Sequence, residues 1–264
     1  MIDFNNVGLF IDNKHREGLV EFLESWFARH RIKTCLLSWD TPPRSDLDLI
    51  IAMGGDGTVL FVLGQFPNCP VLAINYGTVG FLTAGNKEEL QSILDRLLKN
   101  NFLISDRSIL ECRYPGGSVH AVNEVVVKGI TRLVSMNCYV DGILVRHIRG
   151  DGVIVGTPTG STAYLLSVGA PIVMPEVRCI VLAGLNEYNF TSRHLILNHD
   201  AQIRIEISPD TKETEIYLSA DGKNKIPLST NDELVIYESE RRAKLIFLDQ
   251  HYFFNNLSSR LAWG

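Results

Sequence analysis

The run Leu49-Ile-Ile-Ala-Met53 passes without a break into Gly54-Gly55-Asp56-Gly57-Thr58 and then into Val59-Leu-Phe-Val-Leu63. Five apolar residues with no alternation read as a strand buried on both faces, the form strands take in a parallel sheet. The glycines favour a turn over continuation of the strand, and Val59 to Leu63 suits a helix. Strand, glycine turn, helix commits this part of the chain to a parallel sheet covered by helices. It also brings bare main chain close to anything at the C-terminal edge of that sheet, as a pyrophosphate requires. Asp56 repels an anion unless it has another task, such as accepting a hydroxyl proton or holding a metal ion. The plainer alternative is that it caps the following helix.

A second stretch of the same kind is Arg149-Gly-Asp-Gly-Val-Ile-Val-Gly-Thr-Pro-Thr-Gly-Ser-Thr-Ala-Tyr164. A short apolar run, Val153 to Val155, opens into small and hydroxylated residues and then into Ala163 to Val168, which can be helical. Such a loop offers unobstructed N–H groups and hydroxyls beside the positive end of a helix dipole, which suits a phosphate or a ribose. Arg149 and Asp151 add a cation and a carboxylate just upstream; each is otherwise a surface or turn residue.

The alternation continues on either side of Gly54. Val7 to Ile11, Thr34 to Leu37 and Val71 to Asn75 read as strands. Glu17 to His30 carries Leu19, Phe22, Leu23, Trp26 and Phe27 at helical spacing. Pro42-Pro43 marks a loop, and Gly77-Thr-Val-Gly80 a turn. Asn86 to Asn100 opens with Asn86 as N-cap and Glu89 three residues on. Asn75 and Tyr76 follow an apolar strand, at the sheet edge where ligands of parallel sheets bind or where a plain turn begins.

Beyond residue 100 the pattern changes to strands. They are Ile109 to Tyr114, Val119 to Val127, Met136 to Val140, Ile143 to Ile148, Ile180 to Leu182, Gln202 to Ile207, Ile216 to Leu218, Leu234 to Tyr237 and Leu245 to Leu248. Pro115-Gly-Gly117 and Asp141-Gly142 are hairpin signals. The expected architecture is therefore an α/β N-terminal domain with a mostly parallel sheet, residues 1–100, and a mostly-β, sandwich-like domain, residues 101–244. Asn123-Glu124 interrupts one apolar strand, which calls for a bulge, a wet edge or a ligand. Asp221-Gly222 reads as a hairpin turn, with a ligand role as the alternative. Lys223, Lys225 and the run Glu238 to Arg242 read as solvated charge.

The chain has 264 residues and a formal net charge of −5, so the basic footprint of a nucleic-acid protein is missing. No apolar run approaches the roughly 18–20 residues of a membrane span. The start, Met1-Ile-Asp-Phe-Asn-Asn, lacks the features of a signal peptide. Five cysteines, at 35, 69, 112, 138 and 179, form no Cys-x-x-Cys pair, which points to neither disulfides nor zinc and fits a reducing cytoplasm. The sequons at Asn189 and Asn256 are then chance, and the seven histidines show no metal-ligand spacing.

The Gly54–Thr58 loop, Asn123-Glu124 and the Gly150–Tyr164 segment occur in the order and at the separations that resemble the NAD kinase family. The resemblance runs from about Leu49 to Asp221. It departs at Leu165, where a small polar residue is common, at Ala170, where glycine is usual, and over Gly184 to Phe190, which includes Leu185. The resemblance implies a kinase that moves the γ-phosphoryl group of ATP, or a phosphoryl group of polyphosphate, to the adenosine ribose 2′-hydroxyl of NAD⁺, giving NADP⁺. It implies Mg²⁺ or another divalent cation, no metal ligand set within the protein, a homodimer or tetramer, and no membrane or nucleic-acid partner.

By the same resemblance Asp56 takes or orients the hydroxyl proton, and Gly55, Gly57 and Thr58 belong with it. Asn123 and Glu124 bond the ribose or adenine. Arg149 and Asp151 lie near the nicotinamide end, across a subunit contact. Thr162, Ala163, Tyr164 and Ser167 match substrate-contacting positions, Ser161 caps the helix or touches the ligand, and Leu185 and Asp221 complete the set. It further implies that the tail, residues 245–264, packs on the first domain. Two rivals remain open at this level: a lipid or sphingoid kinase, because the Gly54–Thr58 loop permits it, and an NAD(P) sensor without turnover.

Overall fold

The computed structural model describes residues 4–12, 18–77, 80–189 and 193–261. Met1 to Asp3 of the start, Glu17 of the expected first helix, Thr78 and Val79 of the expected turn, Phe190, Thr191 and residues 262–264 lie outside the described residues. The chain forms two compact units, Met1–Asp106 with Ala243–Gly264, and Arg107–Arg242.

The first unit begins β1 (Asn6–Ile11), α1 (Leu19–Arg29), β2 (Lys33–Leu37), β3 (Leu49–Met53), α2 (Asp56–Gln65), β4 (Pro70–Asn75), β5 (Gly85–Asn86) and α3 (Leu90–Leu98). Its strands are parallel in the order β2-β1-β3-β4, with β5 beside β4. All five residues of β3 are buried, as an apolar run without alternation requires. Helix α1 presents Leu19, Leu23, Trp26 and Phe27 to the core, and α3 presents Leu90, Ile93, Leu94 and Leu97. Asn86 and Glu89 form a reciprocal capping box, but on a 3₁₀ turn, Lys87–Glu89, from which α3 then proceeds.

The second unit contains β6 (Leu103–Tyr114), β7 (Gly117–Ala121), β8 (Glu124–Gly129), β9 (Val134–Val140), β10 (Ile143–Gly150), β11 (Gly152–Gly156), the one-turn helix α4 (Tyr164–Ser167), β12 (Cys179–Leu185), β13 (Leu195–Asn198), β14 (Ile203–Ile207), β15 (Ile216–Ala220), β16 (Lys223–Leu228) and β17 (Glu233–Phe247), the ends of β6 and β17 belonging to the first unit. One antiparallel layer runs β13-β12-β11-β8-β15-β16, and the other runs β10-β9-β14-β17. Val125, Val127, Val153, Val155, Ile180 and Leu218 from the first layer meet Met136, Cys138, Ile203, Ile205, Leu234 and Ile236 from the second in one core. This is a sandwich. The Asp141-Gly142 and Asp221-Gly222 turns have positive φ at both residues, 50° and 83°, 49° and 69°, as two-residue hairpins demand.

Four expectations are corrected. Val119 to Val127 is not one strand: β7 and β8 belong to different layers, and Val122-Asn123 is the crossing point. Ala163 to Val168 is helical for only four residues, preceded by a 3₁₀ turn, Thr159–Thr162, that already contains the hydroxylated loop. Strands β13 and β16 were not foreseen: Leu195-Ile-Leu-Asn198 is only four residues long, and Lys223-Asn-Lys-Ile-Pro-Leu228 opens on charge and contains a proline. Glu238 to Arg242, read as solvated charge, is the middle of β17, where Glu240 and Arg241 are exposed but Glu238 is not. There the Glu238 carboxylate accepts from Ser108 Oγ at 2.7 Å and pairs with Arg178 at 2.9 Å, His199 at 2.9 Å and Arg242.

The chain returns to the first unit at its end. Lys244 and Leu245 of β17 pair in parallel with Pro70 and Val71 of β4. Helix α5 (Tyr252–Leu261) buries Tyr252, Phe253 and Leu257, and the Tyr252 ring stacks on Phe247 at 3.7 Å. The five cysteines are unpaired. No helix among the described residues is long and apolar enough to cross a membrane.

Candidate active site

In the first unit, the C-terminal ends of β3 and β4 lie side by side, and Gly54 N–H donates to Ile74 O at 3.0 Å. Beyond them the chain turns at Gly55, the N-cap of α2, whose backbone is extended and whose helix receives no side-chain cap. Asp56, at the first helical position, does not cap its own helix. Its carboxylate crosses to the segment after β4, where Phe81 N–H donates to Oδ2 at 3.1 Å and Leu82 N–H donates to Oδ1 at 3.2 Å. Two amides hold the carboxylate in one orientation while leaving further lone pairs open.

Gly55 and Gly57 are exposed, and a Cβ built on either meets nothing within 4 Å, so the main chain here faces open space. Thr58 is buried and packs under Gly54. Asn75 Oδ1 accepts from Tyr76 N–H at 2.8 Å and from Gly77 N–H at 3.3 Å, forming the turn that leaves β4. Burial, with the charge of Asp12, pushes the Tyr76 phenol up to about 12, so it stays a neutral hydroxyl. The sheet edge thus gathers Asp56, its glycine loop, Asn75 and Tyr76, as expected of a parallel sheet.

In the second unit, the crossing point between β7 and β8 is clamped from three sides. The Asp221 carboxylate, projecting from the β15–β16 hairpin, accepts from the N–H groups of Val122 at 2.9 Å, Asn123 at 2.7 Å and Glu124 at 3.3 Å. Thr157 donates its N–H to Asn123 O at 2.9 Å and its hydroxyl to Val122 O at 2.6 Å. Gly160 presses its main chain on Asn123, where a Cβ would lie 2.3 Å from the carbonyl oxygen. The result brings Asn123, Glu124, Ser161, Thr162, Ala163 and Tyr164 together.

Within that clamp, Asn123 Oδ1 and Glu124 Oε2 are buried acceptors without a protein donor. A buried acceptor left unpaired costs free energy unless a ligand or water supplies the donor. Burial, reinforced by the charge of Asp221, pushes the Glu124 carboxyl up to about 7, against the pull of the Tyr164 N–H. Burial also raises Asp221, with the three amides acting in the opposite direction.

The side chains of the loop divide into struts and open positions. Ser161 is a strut: its hydroxyl is fully buried, donates to Pro158 O at 2.6 Å and accepts from Val173 N–H at 3.0 Å. No face of it remains for a ligand. Tyr164 and Ser167 are exposed, and Thr162 and Ala163 are half-buried, so these four can be reached. Asp221, too, is a clamp on the main chain and not a free ligand group.

Arg149, Asp151 and Leu185 stand apart from the clamp. On β11, Gly156 pairs with Glu124, whereas Gly152 pairs with Lys128 and Leu185 at the other end, about 13 Å of strand rise away. The Asp151 carboxylate accepts from Asn186 Nδ2 at 2.7 Å, and the Arg149 guanidinium lies 5.6 Å over the Tyr188 ring. Leu185 is buried in the small core under α4. Sequence reasoning missed Arg107: buried in β6, it donates from Nη1 to Thr159 Oγ1 at 3.2 Å and props the 3₁₀ turn. An arginine directly ahead of the Ser108-Ile-Leu110 run that opens a strand was the available signal.

Among the described residues no three His, Cys, Asp or Glu side chains gather into a metal-holding group. A divalent cation that travels with phosphates needs no such cage, only one or two carboxylates, and Asp56 with its open lone pairs fits that need.

Comparison with known proteins gives one answer over the whole chain. Residues 24–102 match the ATP-NAD kinase N-terminal domain, and residues 122–248 match the ATP-NAD kinase C-terminal domain. The NAD kinase of Syntrophotalea carbinolica is 37% identical over 83% of this chain and 79% of its own, and that of Caldicellulosiruptor bescii 32% over 97% and 98%. Among solved structures, yeast NADH kinase complexed with NADH superposes with a TM-score of 0.86 at 25% identity, covering 99% of this chain and 88% of that one. An NAD kinase from Archaeoglobus fulgidus in complex with ATP gives 0.80 at 25% identity, covering 98% and 100%. With both domain families matched in order, and relatives above 30% identity along nearly the full length, the chain belongs to the NAD kinase family and is a phosphotransferase.

Proposed function

We propose that this chain transfers the terminal phosphoryl group of ATP or polyphosphate to the adenosine ribose 2′-hydroxyl of NAD⁺. The hydroxyl oxygen attacks phosphorus, the bond to the leaving phosphate oxygen breaks, and the hydroxyl proton passes to Asp56. The observation that carries this reading is the Asp56 carboxylate itself, fixed by two amides yet open on its remaining lone pairs beside unobstructed glycine main chain. A general base must be oriented and accessible before its basicity matters. Gly55, Gly57 and Thr58 then cradle phosphate, and Asn75 and Tyr76 border the same edge. Transfer of this kind depends on alignment and charge stabilisation more than on covalent work by the protein.

In the second unit, Asn123 Oδ1 and Glu124 Oε2 accept from the donors NAD offers, its adenine amine and ribose hydroxyls, which would satisfy both buried oxygens. Thr162, Ala163, Tyr164 and Ser167 contact the dinucleotide, with Ser161, Asp221 and Arg107 holding them in place. Arg149, Asp151 and Leu185, at the far end of β11, serve the nicotinamide side across a subunit contact in a homodimer or tetramer. Where a divalent cation travels with the donor's phosphates, Asp56 would be the protein group to hold it, in place of taking the proton, and the ion would lower the charge on the transferred group. The cytoplasm is the compartment that fits five unpaired cysteines.

The test is a coupled assay that follows NADP⁺ formation with ATP and, separately, with polyphosphate, in the presence of Mg²⁺. Product above background with either donor supports the reading. No product with both rejects it.

A further inference from the structure

The second unit carries an open cavity of about 470 Å³, lined by none of the residues of the Asn123 clamp and bounded by Arg132, Leu133, Ser135, His147, Arg149, Asp210 and Lys212. Arg132 comes from the β8–β9 loop, His147 and Arg149 from β10, and Lys212 from the β14–β15 loop. Three permanent cations face one space against a single carboxylate, Asp210. Among the described residues, none of Arg132, Arg149 and Lys212 forms an ion pair. Cations gathered in a concavity repel one another and concentrate anions from solution.

The two loops are built, not loose. The buried Glu213 carboxylate accepts from the N–H groups of Thr131 at 2.6 Å and Arg132 at 2.5 Å on one loop, and of Thr214 at 2.8 Å and Glu215 at 2.9 Å on the other. Thr211 stitches them again: its hydroxyl accepts from Ser135 N–H at 3.0 Å and donates to Ser135 O at 3.0 Å. Ser208 N–H adds a bond to Ser135 O at 2.9 Å. His147 is oriented by Nδ1 against Asn137 Oδ1 at 2.7 Å. The main chain under Arg132 and Lys212 is therefore fixed, while their charged heads are left uncommitted.

We propose that this cavity is a binding site for an oligophosphate anion. Two guanidinium forks and an ammonium suit phosphoryl oxygens, and their summed charge exceeds what one carboxylate would balance. Among the described residues the lining holds no Trp, Tyr or Phe on which a base would stack, so the phosphate chain is what it recognises. Arg149 at its margin is shared with the nicotinamide-side assignment; Arg132, His147 and Lys212 are not, and the site does not rest on that assignment.

The test titrates inorganic tripolyphosphate into the full chain at low salt with NAD present at saturation. Calorimetry is expected to show a saturable site in addition to any donor binding at the Gly55–Thr58 loop, and the unfolding midpoint to rise with it. Arg132→Ala with Lys212→Ala should weaken this binding about tenfold or more, the scale of losing bonds between charged groups. Arg132→Lys with Lys212→Arg should restore it, and Lys225→Ala, a cation over the Tyr217 ring, should leave it unchanged. Displacement by ATP assigns the site to the phosphates of a nucleotide, and persistence assigns it to a free phosphate chain; either supports the proposal. No saturable binding, or equal affinity in the double alanine variant, overturns it. None of these readouts requires turnover, so failure of the kinase reading would be seen separately.

Discussion

Gly80 and Asp56 are in direct contact: a Cβ built on Gly80 would lie 2.0 Å from Asp56 Oδ1. No side chain can occupy that position while the carboxylate keeps its bonds to Phe81 and Leu82. Gly80→Ala is therefore expected to displace the carboxylate without unfolding the sheet edge. Displacing a reacting group by about 1 Å costs on the order of 100-fold in rate. Steady-state kinetics should show kcat down by about 10- to 100-fold with NAD binding retained; an unchanged kcat would count against Asp56 as the group that handles the proton.

Asp56→Asn keeps the shape and one acceptor but cannot take a proton. The expected loss in NADP⁺ formation is roughly 10²- to 10⁴-fold, the range for a general base. NAD affinity measured by calorimetry should stay within a few-fold of the parent chain, because Asp56 belongs to the first unit and the NAD-holding oxygens are assigned to the second. Equal loss of binding and rate would instead make Asp56 a binding group.

Glu124 gives a pH dependence with a definite sign. Its carboxyl is raised from the ordinary value near 4.5 to about 7 by burial and by Asp221. A raised carboxyl favours the protonated folded state, so its contribution is full below pH about 4.5 and is lost as pH climbs through about 7. Glu124→Gln should therefore be more stable than the parent at pH 8 by roughly 1–3 kcal/mol, and the gap should close by pH 4.5. Urea unfolding at the two pH values measures it; a gap that widens on acidification refutes the assignment.

Asp221→Ala removes one carboxylate and strands three main-chain amides, of Val122, Asn123 and Glu124. A stability loss of roughly 2–4 kcal/mol is expected from unpaired buried donors. Because Asp221 acts through the Asn123-Glu124 segment and not on the reacting atoms, KM for NAD should rise more than kcat falls. A variant in which kcat falls and KM does not would place Asp221 in the chemistry itself.

Glu238 carries the opposite sign from Glu124. Its carboxyl is held below the ordinary glutamate range by Ser108, Arg178 and Arg242, against the effect of burial. The stability it supplies is present above the unfolded value and fades as pH falls through the depressed one. Glu238→Ala leaves Arg178 and Arg242 uncompensated, removes the acceptor beside His199 Nδ1, and should destabilise the second unit by about 2–4 kcal/mol at pH 7. Equal midpoints for variant and parent at pH 7 would show the cluster to be solvent-screened.

Local pattern carried most of the first unit. Leu49–Met53 had no polar residue to mark an outer face, and the strand is buried on both. Asn86 and Glu89 announced their cap, although not the 3₁₀ geometry of the turn they close. What sequence could not supply was pairing at long range. That Asp56 would bond to Phe81 and Leu82, and not to its own helix, depends on how β4 exits the sheet. That Val119 to Val127 would divide between two layers depends on Asp221, far along the chain. Glu238 read as wet because its partners come from residues 178, 199 and 242, and only the last is near enough in sequence to be noticed.

The hairpin at Asp221 and Gly222 closes on amides that were synthesised 97 to 99 positions earlier. Closing so long a loop is slow and entropically costly compared with local pairing. A polypeptide emerging from the ribosome therefore carries an unlatched Asn123-Glu124 segment until Asp221 has appeared, and the two buried acceptors of that segment are set in place late and all at once.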